Sequence, residues 1–203
     1  MVDWEQVYFK YSDFIYRYIL FHVRKKEVAE DLTQESFYRA FKHIHTFNHQ
    51  ASILTWLVKI ARNVTYDYLR RKKLIHFFRL GKKDVVDDNA ILPADQIVKN
   101  DRIVQLYEAL STLKTHYQAV IILRKINEHS IKETAYILGW TEAKVKSTMA
   151  RAFAALKVEM LRRGKVMDEY NQEFEILRHV ERSEVTRNAS LVKIKLRHSK
   201  KRS

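Results

Sequence analysis

Apolar residues recur at steps of three and four along most of the chain, which is the spacing of amphipathic helices. The pattern predicts three helices in residues 1–73. Their apolar positions are, in chain order, Val7, Tyr11, Phe14, Ile15, Tyr18 and Ile19; then Ala29, Leu32, Ser36, Phe37, Ala40, Phe41 and Ile44; then Ile53, Trp56, Leu57, Ile60, Ala61, Val64 and Tyr68. A charged break at residues 25–27 separates the first two helices. Residues 43–52 predict a loop, at whose end Ser52 can cap the third helix.

A second periodic region, residues 101–163, predicts another helical domain. Its first two helices carry Ile103, Leu106, Tyr107, Leu110 and Leu113, then Val120, Ile121 and Leu123. Ser130 and Glu133 have the spacing of a capping box at a helix start. Gly139 can end that helix in a left-handed conformation, and Thr141 can cap the helix that follows, over about 142–158. A helix, a glycine turn and a second helix form the pattern of a helix-turn-helix.

Residues 74–100 lack this periodicity and segregate charge. Seven Lys and Arg residues and no acid lie between Arg70 and Lys83, whereas residues 84–88 hold three Asp and no base. A basic block beside an acidic one does not fit inside a packed core. The sequence therefore predicts a flexible linker between two small domains.

The last 40 residues, 164–203, form a tail with a basic end. The spacing of Tyr170, Phe174, Leu177 and Glu181 suggests a short amphipathic helix, and residues 191–197 alternate apolar and basic positions. The last eleven residues hold six bases and no acid. Three interpretations stay open: a basic tail without fixed structure, an extra DNA contact, and docking on an anionic membrane surface.

Composition narrows the class of protein. The 203 residues include 38 Lys and Arg against 24 Asp and Glu, a formal charge of +14. Three Gly and one Pro are too few for the turns of an all-β fold, and the absence of Cys excludes disulfides and thiolate zinc sites. No apolar run is long enough for a membrane span. We expect an all-α, cytoplasmic protein with a polyanionic partner.

The predicted helix-turn-helix carries the most specific chemistry. The second helix of such a motif enters the major groove, where Arg and Lys can contact guanine or phosphate and Ser can donate or accept. Its outward positions here are Lys144, Lys146, Ser147, Ala150 and Arg151. The alternative is a plain helical hairpin with a solvated basic face.

Other candidate sites are less specific. The outward face of the third helix combines Lys59, Arg62, Asn63, Tyr66 and Arg70. Such a mixture of rings and cations suits single-stranded nucleic acid, although Trp56 lies on the apolar stripe and Tyr66 fits either a core or a stacking role. The acidic run at residues 30–35 suits either a helix N-terminus or a docking patch for a protein.

No catalytic or metal motif emerges. His43, His45 and His49 lack the spacing of a metal site and have no acid nearby. The sequence contains no nucleophile elbow, glycine-rich phosphate loop or paired-carboxylate signature. We therefore expect no metal, no cofactor, no small-molecule substrate and no enzymatic activity.

Four segments, in this order, resemble the extracytoplasmic-function (group IV) sigma factors of bacterial RNA polymerase. They are residues 29–41 (AEDLTQESFYRAF), 55–71 (TWLVKIARNVTYDYLRR), 117–124 (YQAVIILR) and 130–151 (SIKETAYILGWTEAKVKSTMAR). The resemblance covers about residues 2–161. Leu92-Pro93 in the linker points further to the sigma-X-like subgroup of Bacillus-type bacteria. The resemblance implies a three-helix region-2 domain, a linker through the RNA exit path and a helix-turn-helix region-4 domain.

The resemblance also assigns roles by position. The family positions that bind the clamp helices of the polymerase β′ subunit are matched here by Asp31, Gln34, Glu35 and Phe41. Residues matching −10 recognition, in the loop that receives a flipped base and on the helix after it, are Phe47, Asn48, Ser52, Lys59, Arg62, Asn63, Tyr66, Asp67 and Arg70. Residues matching −35 recognition are Lys144, Lys146, Ser147, Thr148, Ala150 and Arg151. The implied partners are core RNA polymerase, contacted at the β′ clamp helices and the β flap, promoter DNA and an anti-sigma factor.

Two positions depart from the family pattern, and two other functions remain as alternatives to a sigma factor. Ala150 stands where relatives carry a larger His or Phe, and Thr148 replaces a frequent Arg, which puts the preferred −35 sequence in doubt. A stand-alone helix-turn-helix regulator would explain residues 130–151 but leave the first domain unused. A transposase or resolvase fragment would need a catalytic cluster that the sequence does not present.

Overall fold

The computed structural model describes residues 3–79, 101–164 and 174–175. Throughout these ranges the regular elements are helices, and none of the described residues lies in a strand. Residues 3–79 fall in one compact unit, and 101–164 with 174–175 fall in a second. The prediction of two small all-α domains is confirmed. Residues 80–100, which include Gly81 and Pro93, and most of the tail lie outside the described residues.

The first unit consists of three helices that all pack on one another. They are α1 (Trp4–Val23), α2 (Lys26–Lys42) and α3 (Ile53–Arg79), with a 3-10 turn at Ile44–Thr46 between α2 and α3. Helix α3 runs past residue 73, where the sequence placed the start of the linker. Residues 70–79 contain no Gly or Pro, so nothing in the backbone stops the helix there.

Local capping explains where these helices begin and end. The Asp3 carboxylate accepts a hydrogen bond from the Gln6 amide at 3.2 Å, which starts α1. Arg24 ends α1 in the left-handed conformation, with φ of 55°. The Ser52 hydroxyl accepts the Thr55 amide at 3.1 Å, so the predicted cap of α3 is confirmed.

The core of the first unit forms on the predicted apolar stripes. Its buried members include Ile15, Tyr18 and Ile19 on α1, Ala29, Phe37 and Ala40 on α2, and Trp56, Leu57, Ala61 and Val64 on α3. Trp56 is 5% exposed, as its place on the stripe predicted. Phe41 differs, because it is 59% exposed at the outer edge of the α2 stripe. Its ring contacts Trp4, with centroids 5.7 Å apart.

The second unit is built around its last helix. Its elements are α4 (Asp101–Thr112), α5 (Thr115–Ile121), a wide π turn (Ile122–Ile126), α6 (Ile131–Leu138) and α7 (Glu142–Arg162). Helix α7 packs against α4, α5 and α6, and it runs beyond the predicted end near residue 158. The fully buried side chains at its centre include Leu106, Leu110, Val120, Ile121 and Leu156.

Helices α6 and α7 form the predicted helix-turn-helix. The Ser130 hydroxyl accepts the Glu133 amide at 3.1 Å, and the Glu133 carboxylate accepts the Ser130 amide at 2.8 Å. Gly139 ends α6 with φ of 66°. The Thr141 hydroxyl then accepts the Lys144 amide at 3.2 Å and starts α7. These caps satisfy free backbone groups at the start of both helices and at the end of α6.

Candidate nucleic-acid interfaces

Helix α7 presents one continuous exposed face. Lys146, Ser147, Ala150 and Arg151 are all exposed, at the spacing that places residues together on a helix surface. The Arg151 Nε donates a hydrogen bond to the Ser147 carbonyl oxygen at 3.2 Å, which leaves the end of the guanidinium directed outward. The face therefore presents two cations, one hydroxyl and one small side chain, a set suited to groove contacts.

Lys144 borders this face at the first turn of α7. Its ammonium lies 4.6 Å from the ring centroid of Trp140, a cation–π distance. The indole thus holds the Lys144 charge at the N-terminus of α7, the end of the second helix that enters the major groove in a helix-turn-helix. The sequence predicted Lys144 but not Trp140, since an aromatic residue in a turn gives no signal of this kind.

Thr148 does not belong to the exposed face. It is 3% exposed and lies on the inner side of α7 with Val145 and Ala152, which are also buried. The structure therefore contradicts the placement of Thr148 among the DNA-facing residues. Position 148 falls at the helical spacing of the core rather than that of the face, three residues after Val145 and four before Ala152.

The outward side of α3 carries the polar residues predicted for single-stranded DNA. Asn63 and Arg70 are exposed, whereas Lys59 is half-buried. The Arg62 guanidinium donates to the Asn63 side-chain oxygen at 3.1 Å. Arg70 forms an exposed ion pair with Asp67 at 3.1 Å. The stripe from Lys59 to Arg70 is about 16 Å long, given the helical rise per residue.

Tyr66 points into a buried polar cluster that joins α1 to α3. Its ring centroid lies 5.7 Å from that of His22, and the Arg62 guanidinium lies 4.8 Å from the Tyr66 ring centroid. The hydroxyls of Tyr66 and Tyr18 and the Nε2 of His22 are buried without a hydrogen-bond partner. These contacts favour the core role that the sequence left open for Tyr66 over a base-stacking role. Sequence reasoning missed this cluster.

Burial governs the protonation of this cluster. Desolvation lowers the pKa of His22 to about 4, although its Nδ1 lies 2.7 Å from the Tyr18 carbonyl oxygen. Desolvation also raises the pKa of Tyr66 to about 12. The cluster is therefore neutral near pH 7 apart from Arg62.

The loop before α3 rests on the start of that helix. The Phe47 ring lies 5.4 Å from Trp56 and 4.4 Å from His49, by ring centroids. His49 adopts a left-handed conformation with φ of 57°. Asn48 is exposed, and its side-chain oxygen accepts the Gln50 amide at 3.3 Å. Ser52 is committed to capping α3, so its hydroxyl is less available to a ligand than the sequence suggested.

Helix α2 presents a face of a different kind. Asp31, Gln34, Tyr38 and Phe41 are exposed along one side of it. Tyr38 is 54% exposed, with the Lys42 ammonium 4.8 Å from its ring centroid. Glu35 lies beside this line and forms an ion pair with Arg39 at 2.6 Å. Sequence reasoning missed Tyr38, although its spacing from Gln34 and Phe41 could have found it.

Two other findings concern the described residues only. No group of three His, Asp or Glu side chains in residues 3–79, 101–164 and 174–175 could hold a metal ion. Within the same ranges, no helix has the length and apolar character needed to cross a bilayer.

Comparison with known proteins identifies the family. Residues 7–75 match the model of sigma-70 region 2, and residues 103–156 match that of sigma-70 region 4. The ECF RNA polymerase sigma factor SigX of Bacillus subtilis is 36% identical over 82% of this chain and 89% of its own length. The chain belongs to the ECF RNA polymerase sigma factors. A second such sigma factor, SigM of Bacillus subtilis, is 33% identical over 75% of this chain and 92% of its own length.

Solved sigma factors share the fold of this one. The sigma factor RpoE of Bartonella quintana, solved in complex with the anti-sigma factor NepR, superposes with a TM-score of 0.61 at 21% identity. The alignment covers 78% of this chain and 97% of RpoE. The region-2 match accounts for the first unit, which a stand-alone helix-turn-helix regulator would leave unexplained. This sigma factor is thus an initiation factor for transcription, and neither matching family model describes an enzyme.

Proposed function

We propose that this sigma factor docks on core RNA polymerase through α2, captures the −10 strand with the loop and α3, and reads the −35 duplex with α7. We assign these roles to residues 1–73 and 101–163, with 74–100 as the connection. The observation that supports this proposal most directly is the exposed face of α7, the helix that follows the capped turn after α6. The protein acts in the cytoplasm as a specificity and melting factor and catalyses no covalent step.

The −35 role rests on the chemistry of the α7 face. Arg151 can form two hydrogen bonds to a guanine edge, and Lys146 can contact guanine or phosphate. Ala150 leaves space between them, so the groove is read by hydrogen bonds more than by shape. Lys144 and the N-terminus of α7 supply charge for the phosphate backbone.

The −10 role rests on Asn63 and its neighbours. Asn63 is exposed and can pair with a base edge once the strands separate. Lys59 and Arg70 flank it along α3 and suit the phosphates of one strand. Phe47 and Asn48 in the preceding loop provide a ring and an amide for an extruded base, and extrusion costs a few kcal/mol of stacking.

The docking role rests on the combination of acids and rings on α2. A buried aromatic anchor within a polar rim is typical of a protein–protein interface. Tyr38 and Phe41 offer such anchors, and Asp31, Gln34 and Glu35 offer the polar rim. This acidic patch stands out on a chain of net charge +14 and suits a basic partner surface.

We also propose that an anti-sigma factor regulates the protein. RpoE of Bartonella quintana was solved in complex with the anti-sigma factor NepR, and CnrH, a second protein of the same fold, was solved with the cytosolic domain of CnrY. The second alignment has a TM-score of 0.54 at 20% identity. An anti-sigma factor that covers α2 would compete with core polymerase for Tyr38 and Phe41.

The test is transcription from fragmented genomic DNA with purified core polymerase, with and without this protein. We expect discrete transcripts that require both components, with shared −35 and −10 elements upstream of their starts. Sequence-specific retention of duplex by the protein alone, without any transcript, would instead indicate a stand-alone regulator.

The docking face is tested separately by affinity for core polymerase. We expect Asp31→Ala with Glu35→Ala to weaken core binding about tenfold or more, as losses at interface hot spots do. Arg39→Ala is the matched control, because it breaks the same ion pair with Glu35 without removing an acid. Equal affinity of the double variant and the wild type would refute the assignment of this face.

A further inference from the structure

Arg62 is half-buried on α3, and its charged end is held by an aromatic ring. Its guanidinium lies 4.8 Å from the ring centroid of Tyr66, one helical turn further along α3. Its Nε is buried, although arginine usually keeps its charged end in water. The contact is a cation–π interaction, which is strongest where the cation is partly removed from water. Arg62 is therefore tied to the helix and does not extend freely from it.

The ring beneath Arg62 is itself held by helix α1. Tyr66 contacts the ring of His22, with centroids 5.7 Å apart. The Nδ1 of His22 lies 2.7 Å from the Tyr18 carbonyl oxygen, and the two ring centroids are 4.6 Å apart. Close packing between two helices limits the rotamers that Tyr66 can adopt. Arg62 thus rests on a surface that the core of the first unit fixes.

One end of the Arg62 guanidinium reaches the exposed side chain of Asn63. The Nη1 of Arg62 donates a hydrogen bond to the Asn63 Oδ1 at 3.1 Å. A guanidinium has donors and no acceptor, so the oxygen of the Asn63 amide must face it and the amide nitrogen must face away. Asn63 is exposed, which leaves the two donors of this nitrogen available to a base. The bond therefore selects one of the two orientations of the amide.

We propose that Arg62 positions Asn63 instead of binding the −10 strand itself, so that the Asn63 amide nitrogen donates to an acceptor atom on one −10 base. The proposal rests on the −10 role of Asn63 and replaces the direct contact that the resemblance assigns to Arg62. An amide that turns freely can offer either its oxygen or its nitrogen to a base. An amide fixed before binding discriminates donor from acceptor edges and loses less entropy on contact.

The test uses holoenzyme, formed from core polymerase and the full chain, and a pool of single-stranded oligonucleotides with random bases. Sequencing of the bound oligonucleotides, aligned on their shared motif, gives the base preference at each position. A uniform change in affinity cancels from this ratio. Asn63→Ala should remove the preference at one position. Arg62→Met keeps the length of the side chain over Tyr66 but has no donor, so it should reduce the same preference about threefold or more, as loss of a hydrogen bond does.

The double variant separates positioning from a direct contact. Once Asn63 is replaced by Ala, Arg62→Met should add no further change in base preference, because its effect passes through the missing amide. If Arg62 binds a phosphate, Arg62→Met should instead weaken all sequences equally and lower the slope of log affinity against log salt by about 0.7. That uniform loss, with the base preference intact, would overturn the proposal. Arg70→Met is the matched control for a phosphate-type loss, since Arg70 is exposed on the same helix.

Two further sets of variants test the geometry. Asn63→Asp keeps an oxygen for Arg62 and replaces the amide nitrogen by a second oxygen, so it should lose the base preference as Asn63→Ala does. Retention of the preference would show that an oxygen reads the base and would overturn the donor assignment. Tyr66→Leu removes the ring beneath Arg62 and should relax the same preference, and Tyr66→Phe, which keeps the ring, should relax it less. Thermal unfolding of each variant reports whether the unit stays folded.

Failure of the positioning role is distinct from failure of the −10 role. If wild-type holoenzyme selects no motif, or if Asn63→Ala changes no position, the −10 role of Asn63 is wrong and the positioning role falls with it. If Asn63→Ala relaxes one position while Arg62→Met and Tyr66→Leu do not, Asn63 reads the base without Arg62, and only the positioning role is wrong.

Discussion

We assign Arg151 a base contact in the −35 element because its side chain is exposed on α7, with its Nε bonded to the Ser147 carbonyl oxygen. We expect Arg151→Ala to cost about 1–3 kcal/mol at one −35 base pair and to relax the preference there. Binding to a panel of single-base variants of the −35 element measures this. A uniform loss over the panel would instead mark Arg151 as a phosphate contact.

His22 makes the stability of the first unit depend on pH. Above its unfolded pKa of about 6.5, the imidazole is neutral in both states and contributes no pH dependence. As pH falls toward the folded pKa of about 4, the unfolded chain binds a proton that the folded chain does not. The free energy of unfolding should therefore fall by up to about 1.4 kcal/mol per pH unit, or about 3 kcal/mol by pH 4.

The measurement is urea denaturation of wild type and His22→Phe at pH 7 and pH 5. The variant removes the titrating group from between Tyr18, Tyr66 and Arg62, so its stability should fall less between the two pH values. Parallel losses in the two proteins would mean that other groups cause the acid sensitivity of the unit.

At the scale of elements, the stability of the turn between α6 and α7 depends on the local caps at Ser130 and Gly139. Ser130→Ala removes one of the two capping-box bonds and should cost about 1 kcal/mol. Gly139→Ala should cost about 1–2 kcal/mol through the backbone alone, because a Cβ there would meet no atom within 4 Å. Thermal unfolding measures the loss of stability in both variants. Gly139→Asn should lose less stability than Gly139→Ala because Asn tolerates the left-handed conformation.

Most elements could be predicted from the sequence because their signals are local. The apolar periodicity, Ser130 with Glu133, and Gly139 act over one or two helical turns. Phe41 was placed on the apolar stripe of α2, but its exposure depends on where that stripe ends, which tertiary packing decides. Thr148 was assigned by resemblance alone, although its spacing from Val145 and Ala152 places it on the inner side of α7. The polar cluster around His22 joins two helices, and no local spacing indicates it.

At the scale of the molecule, the assigned −10 and −35 contacts belong to separate compact units. We expect the losses in promoter binding from Asn63→Ala and Lys146→Ala to add within about 0.5 kcal/mol, as they do for independent sites. A double-mutant cycle on binding of polymerase with this sigma factor to one promoter measures the sum. A coupling of 1 kcal/mol or more would show that one contact helps to form the other.

The division of α7 into an inner and an outer side also bears on how promoter preference evolves. Val145, Thr148 and Ala152 hold the fold, whereas Lys146, Ser147, Ala150 and Arg151 are exposed. Substitutions at exposed positions change the free energy of unfolding little, so the exposed positions of α7 can vary under selection without loss of the fold. Ala150 in particular can acquire a larger side chain without repacking the core. Duplicated copies of such a gene could thus diverge toward new promoters while each keeps a stable fold.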